Sequence, residues 1–510
     1  MTRGLALILL AGALAPCALA AEANLQPVAE RLASPQARDR VRALADLRRL
    51  KPTGAKARPL LERGAADAAP EVRLEAASVA ADLLGAGAID LLRPLAADQE
   101  RTVRETSVRL LCRMWEEAEP REACRGFLGS ADVAVRAQAF AALREAAPTD
   151  PLAVRAFRAG LDDRAPIVQR AAVLGLAVAR DADSAARLGR IARTAPDLVA
   201  EPIAAEALPT IGGGEAIDAL AALLPRPAPG DRPSDVVRCA ALVSLGRIGA
   251  VRAAAAVRPL LADSAPPVRA AAATAAARLG DQAAVPALAG RLADAEPAVR
   301  LAALAALRRL GATRAAPEVR RLLGGDPVPA VRAAAAAVLA DLAGSAAIPD
   351  LAARRGDESP AVRLEAAGAL AGLGRPAAAS LTAFVADPRP DVRKTAVVAL
   401  GQFGGVEALP AIAGVAADAG RANLGARVAA AEALGDIRRV EGIPILERLA
   451  ADPEPSVRQA AAGAFGTMSG SGDPRVRRAL ERLLQDPAAG VRSAARRALE
   501  TAPPPAPSAS

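Results

Sequence analysis

Pro297 to Gly311 reads PAVRLAALAALRRLG. Within it Val299, Ala303, Ala306 and Leu307 fall at the three- and four-residue spacing of one helix face. Proline at the first helical turn gives up an N–H that needs no partner there, and a closing glycine can take the left-handed conformation that stops a helix. The stretch therefore predicts one complete helix with its own start and stop.

Outward from this stretch, the same pattern fills the chain. Val-Arg recurs in register at Val41, Val72, Val103, Val135, Val237, Val268, Val299, Val331, Val362, Val392, Val457 and Val491, with degenerate copies at Val168-Gln169, Val199-Ala200 and Ala426-Arg427. A proline two residues before the valine recurs at Pro70, Pro166, Pro266, Pro297, Pro329, Pro360, Pro390 and Pro455. A glycine twelve after it recurs at Gly249, Gly280, Gly311, Gly374 and Gly404. A shorter helix is expected between successive copies, as at Ala283 to Leu292 (AAVPALAGRL). We term it helix A and the Val-Arg helix helix B. One such pair cannot bury its apolar surface alone, so pairs must stack. The longest step, before Val237, contains Pro225, Pro227, Pro229, Gly230 and Pro233, and reads as a surface insertion near 225–235.

Nine copies carry Asp five residues before the valine and Arg one after it. The aspartates are Asp67, Asp98, Asp263, Asp294, Asp326, Asp357, Asp387, Asp452 and Asp486, and the arginines Arg73, Arg104, Arg269, Arg300, Arg332, Arg363, Arg393, Arg458 and Arg492. This D-x4-V-R spacing followed by A-x-x-A-L-x-x-L-G resembles the short HEAT-like repeat of the phycobiliprotein-lyase type, as an exported bacterial member. The resemblance implies an all-α, right-handed superhelical α-solenoid of about fifteen two-helix HEAT-like repeats over residues 21–500, with the Asp and Arg side chains forming a ladder between adjacent repeats. The chemistry agrees: aspartate near a helix start complements the dipole, and arginine offers several donors to carbonyls and carboxylates. Two enzyme groups share such repeats. The deoxyhypusine hydroxylase-like proteins need histidine for a di-iron centre, and bilin lyases act on a tetrapyrrole in the cytosol.

Composition bears on both. The 510 residues include no histidine and no tyrosine, one tryptophan and six phenylalanines, so Ser-His-Asp, Cys-His and His-ligated metal sites are excluded. No metal or cofactor is expected, and nothing assembles a nucleophile, base and oxyanion donors. The net charge is +9, with arginine dominating and lysine only at positions 51, 56 and 394. The cations read as spread along the chain without interleaved aromatics, which points away from nucleic acid.

Residues 1–20 read as a secretory signal, from Arg3, the apolar run Leu5 to Leu14 and the small-x-small site Ala18-Leu19-Ala20. Cys17 sits in a lipobox-like setting, but Pro16 stands where such motifs carry a small residue. The expected location is the periplasm or cell exterior. No other segment reads as a transmembrane helix. Cys112 and Cys124 fall on successive helices, where either a disulfide or two packed thiols fits; Cys239 is then an odd thiol. The tail 501–510 (TAPPPAPSAS) reads as disordered.

These features point to a non-enzymatic, monomeric scaffold for a protein or peptide partner in a bacterial periplasm or envelope. The alternative is an accessory lyase- or chaperone-like factor holding a client for modification. Trp115 is an interface candidate or a local plug, with Phe127, Phe140 and Phe157 near it. On helix B, positions two and six after the valine lie opposite the core face, since two residues turn the helix about 200°. In HEAT-like solenoids helix B lines the concave side. From Val237 to Gly368 these positions are Cys239, Val243, Ala270, Thr274, Leu301, Ala305, Ala333, Ala337, Leu364 and Gly368, none of them charged. Beside them, ten after the valine, stand Arg247, Arg278 and Arg309. The candidate partner face is thus an apolar strip with a cationic border.

Overall fold

The computed structural model describes residues 25–194, 200–225 and 235–500, and among them every regular element is a helix. The signal segment with Cys17, the start of the degenerate copy at Val199, most of the 225–235 insertion and the 501–510 tail lie outside the described residues.

Fifteen B helices follow the repeat. They are Ala37–Leu50, Pro70–Leu84, Arg101–Arg113, Val133–Ala146, Pro166–Ala179, Ala200–Ile211 and Asp235–Ile248 in one compact unit (1–253). In a second unit (254–510) they are Pro266–Arg278, Pro297–Arg309, Pro329–Ala343, Pro360–Gly372, Pro390–Phe403, Leu424–Ile437, Pro455–Thr467 and Ala489–Glu500. Each is preceded by a helix A, such as Val285–Arg291 with a 3-10 turn at Gln282–Ala284. All eight repeating prolines occupy the first helical position. Within each unit, consecutive B helices pack on one another and on their A helices. The core consists of the valine and the residues four, five, seven and eight after it: Val299, Ala303, Leu304, Ala306 and Leu307 are all buried. With so much alanine, the helices approach closely. A Cβ on Gly401, nine after Val392, would meet Ala433 Cα of the next helix B at 2.6 Å.

Three registers differ from expectation. In the first copy the buried residues are Ala43, Leu44 and Leu47, and Lys51 takes the left-handed conformation (φ 45°). These offsets place Asp39-Arg40, not Val41-Arg42, at the Val-Arg position. The apolar Val41 is only half-buried, because the ladder contact of Arg40 sets the register. In the sixth copy, buried Ala207 and Leu208 with left-handed Gly212 place the valine position at 200 rather than 199. In the twelfth, Gly405 rather than Gly404 is left-handed (φ 59°), because the helix runs to Phe403 and Gly404 stays right-handed. Where the glycine is absent in the fifth and thirteenth copies, Arg180 and Arg438 adopt the left-handed conformation instead.

By length and composition alone one stretch among the described residues could cross a membrane: Pro329–Gly356, 28 residues whose most apolar 18-residue window has mean hydropathy 1.5. It is one helix B and the following helix A, turned at left-handed Gly344, with Val331, Ala335, Ala336 and Leu339 buried in the stack.

Candidate functional site

The conserved spacing of charge in the repeat is absorbed by a ladder. Arg73 sends Nε and Nη2 to both carboxylate oxygens of Asp98 in the next repeat, each at 2.7 Å. Its Nη1 donates to the Asp67 and Ala68 carbonyls of its own repeat. Asp98 Oδ1 also accepts the Glu100 N–H, closing the turn into the following helix. The same arrangement joins Arg40 to Asp67 and Arg136 to Asp163 in the first unit. In the second unit it joins Arg269 to Asp294, Arg300 to Asp326, Arg332 to Asp357, Arg363 to Asp387, Arg427 to Asp452 and Arg458 to Asp486. Arg393 closes its rung on the Asn423 amide oxygen at 2.9 Å, and Arg492 donates to the Asp486 and Pro487 carbonyls. Asp263 accepts the Ala265 N–H and, through its carbonyl, Arg269. The arginine hydrogen bonds hold the Asp67, Asp98, Asp163 and Asp486 carboxyls below their ordinary range. At Asp294 and Asp357 burial pushes upward, but the arginine and backbone N–H contacts outweigh it and these two are also lowered.

A second, outer set of ion pairs links successive repeats, Arg58 with Asp90 and Arg320 with Asp350 between A helices and Arg187 with Asp162 from an A helix to the turn after the preceding one. Sequence reading missed it, because these residues have no fixed place in the repeat. It also missed a cationic stretch: Arg31 to Arg63 holds ten bases against three acids. Arg31, Arg40, Arg48 and Arg58 are drawn into ion pairs with Asp46, Asp67, Asp82 and Asp90, while Arg38 and Arg42 stay exposed on the first helix B.

The uncharged strip was expected to face solvent, and it does so only in part. Ala270, Thr274, Leu301, Ala333, Ala337 and Leu364 are half-buried, and Ala305 and Gly368 exposed. Val398, six after Val392, extends it and is exposed. Arg278 and Arg309 stand exposed beside it, Arg309 Nε donating to the Ala277 carbonyl at 3.2 Å. Ten after Val331 stands Asp341, paired with Arg308, so the cationic border ends there. Cys239 (half-buried), Val243 (41% exposed) and Arg247 (exposed) belong to the first unit, and Arg278 and Arg309 to the second.

Trp115 is not part of an exposed face. It is 1% exposed, and Arg121 stacks 6.0 Å from its ring while donating to the Trp115 and Glu116 carbonyls. The plug reading describes it. Twelve after Val103, the indole occupies the place where other repeats turn on glycine. Phe140 and Phe157 continue this local filling with ring centroids 6.2 Å apart. Gly160 and Gly175 leave them room: a Cβ at either would lie 2.6 and 2.4 Å from the rings. Cys112 and Cys124 are joined by a disulfide, with Cα atoms 5.0 Å apart, and Cys239 keeps its thiol.

The HEAT-repeat pattern matches residues 230–308, 290–358, 348–424 and 419–500, more than half of the chain. The chain belongs to the HEAT-repeat family. No curated protein matches its sequence. Among solved structures it is similar to the karyopherin Kap121p bound to the extreme C-terminus of the protein phosphatase Cdc14p, at 12% identity and TM-score 0.62 over 94% of this chain and 65% of that one. It is likewise similar to Kap121p bound to Pho4p, at 13% identity and TM-score 0.61 with the same coverage. At such identity the likeness is one of fold, and this HEAT chain spans about 65% of the karyopherin's length.

Proposed function

We propose that this HEAT solenoid is a non-enzymatic scaffold that binds a protein segment on the partly exposed, uncharged face of its B helices between Pro266 and Phe403. The observation that carries the reading is the uncharged run Ala270, Leu301, Ala305, Ala333, Leu364 and Gly368, flanked by exposed Arg278 and Arg309. The ladder arginines satisfy internal carboxylates, so they are not available to a partner; these two stand outside it. An apolar strip with a cationic border suits an extended or helical segment carrying apolar and acidic residues. Karyopherin structures of this fold hold protein segments, which supports the class of partner. We also propose export to an oxidising compartment of a bacterial envelope, supported by the Cys112–Cys124 bridge and the apolar leader.

The test is capture of partners from the native envelope with Arg278→Glu/Arg309→Glu and, separately, Leu301→Asp, after circular dichroism confirms folding. The arginine variant should lose affinity and flatten its salt dependence; the leucine variant should lose affinity alone. Unchanged capture by both would refute the assigned face.

A further inference from the structure

In the first unit the rung between the third and fourth repeats lacks its carboxylate, and a disulfide crosses the same junction. Five residues before Val135, where the repeat carries aspartate, stands Ser130. Ser130 keeps half of that aspartate's work. Its Oγ accepts the Asp132 N–H at 3.2 Å, as Asp67 Oδ1 accepts Ala69 N–H, and its carbonyl accepts Arg136. Its hydroxyl is too short to do the other half, which is to reach back to Arg104 of the preceding repeat. Arg104 keeps its own two carbonyl contacts, to Asp98 and Gln99 at 2.8 Å each, but its Nε ends 3.7 Å from Asp132. Asp132 is occupied with capping its helix through Ala134 N–H, and its side chain is 44% exposed. The carboxylates of the neighbouring rungs, Asp98 and Asp163, are 8% and 14% exposed with their arginines at 2.7 and 2.8 Å.

At this junction Cys112 near the end of helix B (Arg101–Arg113) is bonded to Cys124 on the next helix A (Ala118–Leu128). The bond joins consecutive repeats, as a rung does. Both cysteines are fully buried, and the loop between them holds Trp115. We propose that the Cys112–Cys124 disulfide is a covalent rung that replaces the missing Asp–Arg contact, so that the thiol–disulfide state of this pair decides whether the third and fourth repeats stay closed. Opening the bond consumes one dithiol, which leaves as its own cyclic disulfide, while the protein gains two thiols. Because both sulfurs are buried, the dithiol reaches them only when the junction opens, which couples the redox state to the joint.

The experiment is hydrogen exchange on the full chain, oxidised and after dithiothreitol, read by peptide. The amides of residues 101–146 should exchange about tenfold faster on reduction, while helices Pro70–Leu84 and Pro297–Arg309 keep their rates. Ser130→Asp supplies the absent carboxylate and should return the reduced protein to near its oxidised rates; Ser130→Ala should not. A Cys112→Ser/Cys124→Ser variant should match the reduced wild type. Equal exchange in both redox states, acceleration spread over the whole chain, or no rescue by Ser130→Asp would each overturn the proposal. So would alkylation of both cysteines in native protein without reductant.

Discussion

From Arg269 to Asp486 every B helix in the second unit hands its arginine to a side-chain oxygen of the next repeat, six times an aspartate and once Asn423. In the first unit two such positions, on either side of the ordinary Arg136–Asp163 rung, are met differently. Ser130 replaces one aspartate, and Gln169 replaces one arginine. What survives in both regions is the backbone half of the motif. Gln169 donates to the Asp163 carbonyl at 2.8 Å, as Arg332 does to Asp326. The backbone contact shapes the turn between A and B within a repeat; the carboxylate contact ties one repeat to the next. The first is kept at Gln169 as it is at Arg332, and the second is replaced where other chemistry holds the repeats.

The largest expected effect removes the inter-repeat contact everywhere at once. The Asp67, Asp98, Asp163, Asp294, Asp357 and Asp486 carboxyls are all lowered by folding. A carboxyl lowered in the folded state contributes stability that is complete above its unfolded pKa, about 3.9, and is lost as pH falls through the folded value. The thermal midpoint by circular dichroism should therefore hold from pH 7 to 5 and fall below about pH 4. An equal midpoint at pH 3 and pH 7 would deny the ladder a stabilising role. Because each repeat contacts only its neighbours, the loss should appear as several steps rather than one.

Single rungs separate the regions. Asp326→Ala leaves the buried Arg300 without its partner, which should destabilise the flanking helices by about 3–5 kcal/mol. Asp132→Ala removes only a helix cap and a long, exposed ion pair, and should cost about 1 kcal/mol. Local hydrogen-exchange free energies measure both; similar losses would mean that the two rungs do not differ in kind. Next in size is the close helix approach. Gly401→Ala drives a methyl into Ala433 and should cost about 1–3 kcal/mol. Gly368→Ala, with open space around it, should instead stabilise by about 0.5–1 kcal/mol through helix propensity. If both glycines respond alike, tight packing is not what position 401 requires.

Most of this was legible because a repeated unit averages out local noise. Proline, valine and glycine at fixed offsets specified the B helices, and D-x4-V-R specified the charges of the ladder. Apart from the one-residue shift of the turn glycine after Val392, the failures fall on copies whose core residue is not the expected type. Asp39 holds the valine position in the first copy, so a nearby Val41 captured the reading. Arg427 and Asp452 form a full rung although Ala426 hid the motif. Helical spacing grouped the strip residues on helix B but not their half-burial, and it did not place Trp115: whether an aromatic at a turn points in or out depends on the packing of Arg121 around it, which spacing does not encode.

The smallest effect concerns the turn that ends helix B. Gly249, Gly280, Gly311 and Gly374 take φ between 61° and 70°, where an L side chain is strained, while Arg180 and Arg438 hold φ of 54° and 52° at the same place. A left-handed non-glycine residue costs roughly 1–2 kcal/mol, of which glycine returns part through its larger unfolded entropy. Arg438→Gly should thus stabilise the thirteenth repeat by up to about 1 kcal/mol, and Gly311→Ala should destabilise the ninth by a similar amount. Arg438 is exposed after the helix end at Ile437, so its removal disturbs no core contact. Slower exchange in helix Leu424–Ile437 is the expected result for Arg438→Gly. Faster exchange there would mean that the arginine side chain, rather than the backbone it strains, is what this turn depends on.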